Sequence, residues 1–153
     1  MGRSFNVNEE GNYGLWKGRV LAAARGKNGR AVLQELKDAL LALPEKRLIE
    51  GDVITSEGDV CAVGALALHR KRASFPEFTE QQIVEEVLKD AGGLDGEETA
   101  DFGELLGMKW CLSWTIAWAN DDYYSQLSDE DRYTKMLETV DLLLEGKSPR
   151  LLG

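Results

Sequence analysis

At 153 residues, 43% of them apolar, the chain has the size of one ordinary domain and too much apolar content to stay disordered. Its formal net charge of −9 is lopsided: residues 1–50 hold nine Lys/Arg and six Asp/Glu, a net of +3, while residues 51–153 hold nine and twenty-one, a net of −12. Phosphate repulsion therefore opposes direct nucleic-acid binding by the larger part, and no run of about 18 apolar residues offers a membrane span.

The two cysteines, Cys61 and Cys111, both sit inside apolar helical patterns. That points to a reducing, cytoplasmic compartment and buried thiols, not to a disulfide framework or a zinc site. No apolar run follows Met1-Gly2-Arg3, so no secretory leader is expected.

Residues 1–13, polar and rich in Gly and Asn, read as a flexible tail before a single helical domain over 14–146. A first helix is expected over Leu15 to Arg25, with Trp16, Val20 and Ala24 at four-residue spacing and Gly26 to stop it. After a Gly26-Lys27-Asn28-Gly29 turn, Val32, Leu33, Leu36, Ala39, Leu40 and Leu43 make the apolar face of a helix over Arg30 to Leu43, which Pro44 ends. The GKNG turn is no phosphate loop, because it lacks a preceding strand and a following Lys-Ser/Thr step. Leu48-Ile49 and Val53-Ile54 fit either a short hairpin near 48–58, turning at Glu50-Gly51-Asp52, or an irregular crossing of the surface.

Asp59 reads as the N-cap of a small-residue helix over Val60 to Arg72, closed by the positive charge of His69-Arg70-Lys71-Arg72. Thr79 with Gln82 is a capping box for a helix to Ala91, and a shorter helix follows near Glu97 to Leu106. In the stretch Gly107 to Tyr124, Trp110, Trp114 and Trp118 recur every fourth residue and stack along one side of a helix. Only Lys109, Ser113 and Asn120 break its apolar circumference, which predicts a core helix that others surround, ending at Asn120. Full burial of those three indoles would remove roughly 450–750 Å² from water. Ser128 and Asp131 open a last amphipathic helix to Glu145, and residues 147–153 read as a C-terminal tail. The expected fold is all-α: an irregular bundle of six to seven helices around a central Trp-rich helix.

Chemistry finds little to build on. Cys61 near a helix start is where a thiol becomes nucleophilic, but His69, the only histidine, lies about 12 Å along the same helix. The pairs Glu77/Glu80 and Glu98/Asp101 have the i, i+3 spacing of the acidic motifs of the all-α nucleotide pyrophosphohydrolases, which hold Mg²⁺ against a triphosphate. With acids at 27 of 153 positions, however, such pairs arise by chance about as often as they occur here.

Four blocks carry a resemblance: Leu43-Pro44-Glu45-Lys46-Arg47-Leu48-Ile49, Gly58-Asp59-Val60-Cys61-Ala62-Val63-Gly64-Ala65-Leu66, Asn120-Asp121, and Asp129-Glu130-Asp131-Arg132-Tyr133. In this order they resemble the landmarks of a family of small acidic helical proteins encoded by phages and prophages. The resemblance spans roughly residues 28–145, implies a bacterial host cell, and transfers no activity or functional residue. The expectation is therefore a non-enzymatic, phage-type interaction protein with no cofactor. Glu80, Glu85, Glu86, Asp90, Glu97, Glu98, Asp101, Glu104, Asp121 and Asp122 would present carboxylates as nucleic acid presents phosphates, and block a basic surface of a host protein such as a defence complex. The alternatives are the Mg²⁺-dependent pyrophosphohydrolase and a structural adaptor of phage assembly.

Overall fold

A computed structural model of the chain describes residues 12–92 and 96–153, with side chains over 14–92 and 99–153. Seven α-helices run through them: α1 Asn12–Arg25, α2 Lys27–Ala42, α3 Ala62–Ser74, α4 Glu80–Ala91, α5 Gly96–Leu105, α6 Trp110–Trp118 and α7 Asp129–Leu144. Among the described residues there is no strand, and no helix is long and apolar enough to cross a membrane. The fold is all-helical, as the periodicities require. The expected N-terminal tail lies outside the described residues up to residue 11, and residues 12 and 13 already belong to α1.

Only Gly26 separates α1 from α2, where a four-residue turn was expected. The backbone N–H of Arg30 already donates to the Gly26 carbonyl at 2.9 Å, so Lys27, Asn28 and Gly29 form the first turn of α2. Gly29 makes this possible. A Cβ there would fall 1.8 Å from the Ala23 carbonyl oxygen, so only a bare Cα lets the two helices approach.

The 45–61 segment crosses the helices as coil, not as the hairpin centred on Glu50-Gly51-Asp52. An antiparallel bridge pairs Ile54 with Val60, and the chain reverses later, where Thr55 N–H donates to Asp59 at 2.8 Å. The reason lies in the partners available. The Ile49 carbonyl and the Gly51 N–H are taken by Asn120 and Asp121, 71 and 70 residues away. The same bridge moves the start of α3. Val60 is held in extended pairing, with its carbonyl accepting from Ile49 N–H at 2.9 Å, and Asp59 turns to Arg47 at 2.7 Å. Cys61 becomes the N-cap instead, its sulfur accepting from Gly64 N–H at 3.4 Å.

α4 and α7 begin as their caps dictate. Thr79 and Gln82 satisfy each other's backbone N–H groups, and Ser128 Oγ accepts from Asp131 N–H. Arg132, 2% exposed, then ties α7 to the coil by donating to the carbonyls of Leu48, Ser125 and Leu127 and to Asp129. The expected C-terminal tail folds back: Leu151 and Leu152 are buried in one 3-10 turn.

α6 packs against α5, α1 and α3, but its tryptophans do not supply the buried arc. Cys111, Leu112, Thr115, Ile116 and Ser113 do, while Trp110, Trp114 and Trp118 are half-buried. The supposed polar wedge is largely interior. Ser113 Oγ donates to the Ala100 carbonyl of α5 and lies against Gly103, where a Cβ would fall 2.0 Å from it. Asn120 does not end the helix either. A π-helical turn, Ala119–Tyr123, continues it and swings the Asn120 amide inward, where it accepts from Ala62 N–H and donates to Ile49.

Candidate functional site

The outward turn of the indoles produces an aromatic row. Trp16 on α1 is fully buried and meets Trp110 and Trp114 edge-on, both at 5.3 Å between ring centroids. Trp114 and Trp118 lie nearly parallel, 6.1 Å apart with 16° between planes, and Trp118 passes on to Tyr123 at 5.5 Å. Spacing of i, i+4 along α6 sets this stack, and Trp16 behind it fixes the ring orientations.

An open cleft of about 560 Å³ lies along this row. α6 supplies Trp114, Ala117 and Trp118, α5 supplies Ala100, the coil supplies Glu50 and Gly51, and the π turn supplies Asp121 and Asp122. Its lining is thus partly aromatic and partly acidic. Asp121 is the anchored member: its Oδ1 accepts from Gly51 N–H at 3.1 Å and from the Asn120 amide at 2.9 Å. Burial holds its carboxyl above the usual aspartate range, and the neighbouring Asp122 and Glu50 charges push the same way. Glu50 and Asp122 remain exposed to water.

Of the ten carboxylates expected to form one surface, the cleft gathers Asp121 and Asp122. Glu80 and Asp90 on α4 are already engaged, by Arg72 at 2.9 Å and Lys71 at 2.8 Å. Glu86 stands 3.9 Å from Lys89, and Glu85 is exposed beside it. Asp101 and Glu104 on α5 are half-buried, and the side chains of Glu97 and Glu98 lie outside the described residues. The acids thus occupy separate elements. Glu50 joins Asp121 and Asp122 unforeseen, because its closeness depends on the coil's long-range bonds to the π turn.

Other chemistry is weak here. Burial, with the Asp121 charge behind it, pushes the Cys61 thiol up to about 12, so it stays protonated and inert at neutral pH. Burial also raises the Cys111 thiol. Of the carboxylate pairs, Glu77 is exposed, Glu80 belongs to Arg72 and Glu98 lies outside the described side chains. Among the described residues no three His, Cys, Asp or Glu converge in a metal-holding group. No family model, curated protein or solved structure matches the chain.

Proposed function

We propose that the chain is a non-enzymatic interaction protein of the phage type, using an acidic helical surface to occupy the basic, nucleic-acid-binding surface of a bacterial host protein such as a defence complex. The observation that carries this reading is the state of its own cations. Seven of the nine Lys/Arg in residues 51–153 already lie 2.5–3.9 Å from a carboxylate of the chain. Among the described residues only Lys109 and Arg150 of that set have no ion pair. Twenty-one acids in the same span leave a surplus that no internal charge can meet, with Glu85 and Asp122 exposed to water. A basic partner would supply the counter-charges without breaking an existing pair.

Complementarity of this kind speeds and steers association and weakens as salt rises. The test is to capture the partner from a bacterial lysate, identify it by mass spectrometry, and measure its affinity directly. Wild type is compared with Glu85→Lys/Glu86→Lys at about 50 and about 300 mM salt. The expected result is at least tenfold weaker binding from charge reversal and a clear loss at the higher salt. Unchanged affinity under both treatments would overturn the acidic-surface mechanism.

A further inference from the structure

We infer that the cleft beside α6 is the seat for an arginine side chain of the partner, its guanidinium stacked on Trp114 and Trp118 and paired with the carboxylates of Asp122, Glu50 and Asp121. The inference rests on the interaction reading above and names the part of the surface that would recognise a particular side chain.

Two independent features of the cleft lack the same partner. Trp114 and Trp118 stack as nearly parallel rings and stay half-buried, yet among the described residues no Lys or Arg of the chain lies over either of them. Among the described residues the cation–π contacts lie elsewhere, Lys46 on Tyr133 and Lys71 on Phe75. The acidic rim is equally unmet. Among the described residues no cation pairs with Glu50, Asp121 or Asp122, although seven cations of residues 51–153 have found carboxylates elsewhere. An indole face attracts a cation through its quadrupole, and a carboxylate attracts it through charge, so the two walls select one ligand chemistry.

Planarity selects arginine over lysine. A guanidinium lies flat on a ring face and still directs its edge N–H groups at a carboxylate, whereas an ammonium is a compact and strongly hydrated point charge. The carboxylates line the same cleft as the indoles, which suits a flat cation that stacks with its face and bonds with its edge. Asp121 is prepared for this use. Both of its hydrogen bonds fall on Oδ1, and among the described residues Oδ2 has no donor. Burial is the main cause that raises the Asp121 carboxyl, and the charges of Asp122 and Glu50 in the same cleft add to it, a repulsion that a guanidinium would relieve.

The experiment follows the indole N–H resonances of Trp114 and Trp118 in the full chain. The probe is the capped peptide acetyl-Gly-Arg-Gly-amide, with acetyl-Gly-Lys-Gly-amide as comparison. Saturable shifts of both indoles are expected, with the arginine peptide tighter by about two- to fivefold, the order of one exposed cation–π contact. Glu50→Gln/Asp122→Asn changes two exposed side chains and should weaken the arginine peptide by about tenfold, two exposed charge pairs of up to ~1 kcal/mol each. Absent shifts, equal binding of the lysine peptide, or indifference to that double variant would overturn the inference. Glu85→Lys/Glu86→Lys lies on α4, which contributes nothing to the cleft, so it must leave the indole shifts intact. If the arginine peptide binds as described but no partner responds to α4 charge reversal or salt, the broader reading falls and the cleft stands. If a salt-sensitive partner ignores Glu50→Gln/Asp122→Asn, the cleft falls alone.

Discussion

Trp16 is 1% exposed and wedged edge-on against Trp110 and Trp114, so its removal empties a site that no neighbour can refill. Trp16→Ala should cost about 3–5 kcal/mol, the range for deleting a large buried aromatic. Trp114, half-buried on the cleft side, should cost less, about 1–2 kcal/mol as alanine, because part of its surface already faces water. Urea denaturation checks the order, and a Trp114→Ala variant less stable than Trp16→Ala would reverse the assignment of core and rim. Asp121 makes a second prediction at this scale. Its folded carboxyl is raised from the ordinary 3.8, so the native state holds the proton more tightly than the unfolded chain does. Stability from this group is therefore present at low pH and declines as pH rises through the carboxylate range. Asp121→Asn keeps an acceptor for Gly51 N–H and removes the charge. The variant should gain on wild type toward neutral pH and converge with it below the ordinary aspartate value. Denaturation midpoints at acid and neutral pH measure the crossover, and a variant less stable at neutral pH would show the carboxylate to be stabilising.

Between helices, glycine placement separates contacts that sequence periodicity cannot distinguish. Gly29 admits no Cβ, since the clash is with backbone, whereas Gly18 in α1 has nothing within 4 Å. Gly29→Ala should therefore destabilise by about 1–3 kcal/mol through overpacking, while Gly18→Ala should stabilise by about 0.5–1 kcal/mol through helix propensity. Thermal melts of the pair test both signs, and two stabilised variants would mean that α1 and α2 meet elsewhere. The same contrast explains what the sequence could reveal. α4 and α7 were legible because a strong apolar stripe and a capping residue act within a dozen neighbours, and α2 by its stripe alone, since no side chain caps its start. The start of α3 was not, because Arg47 claims Asp59 and a bridge holds Val60. The orientation of α6 was not either. With nearly every arc apolar, its periodicity gave no direction, and Trp16 with the Gly103–Ser113 contact decided which side faces water. Within the cleft, Asp121 and Asp122 stand three and four residues past Trp118, a visible spacing. Glu50 left no local trace, since Gly51 meets Asp121 across 70 residues.

For the whole molecule, the surplus of negative charge sets two salt effects of opposite sign. A net charge of −9 on 153 residues spreads repulsion over a body with a radius of gyration of roughly 15 Å. At about 0.01 M salt the Debye length is ~30 Å, so carboxylates on opposite sides still repel; at about 0.15 M it is ~8 Å and they do not. The internal ion pairs respond less, because their atoms stand only 2.5–3.9 Å apart, well inside either screening length. Added salt therefore removes more repulsion than attraction, and the isolated protein should melt at a higher temperature as sodium chloride rises over that range. Association with a basic partner depends on the same long-range field with the opposite sign, and its on-rate should fall over the same range. Chloride makes the comparison clean, since a strongly excluded anion such as sulfate would also strengthen burial directly. Scanning melts and stopped-flow association across one chloride series test both halves together. A melting temperature that falls with chloride would mean that the ion pairs outweigh the surplus charge, and the carboxylates would then be acting as internal braces, not as a surface held for a partner.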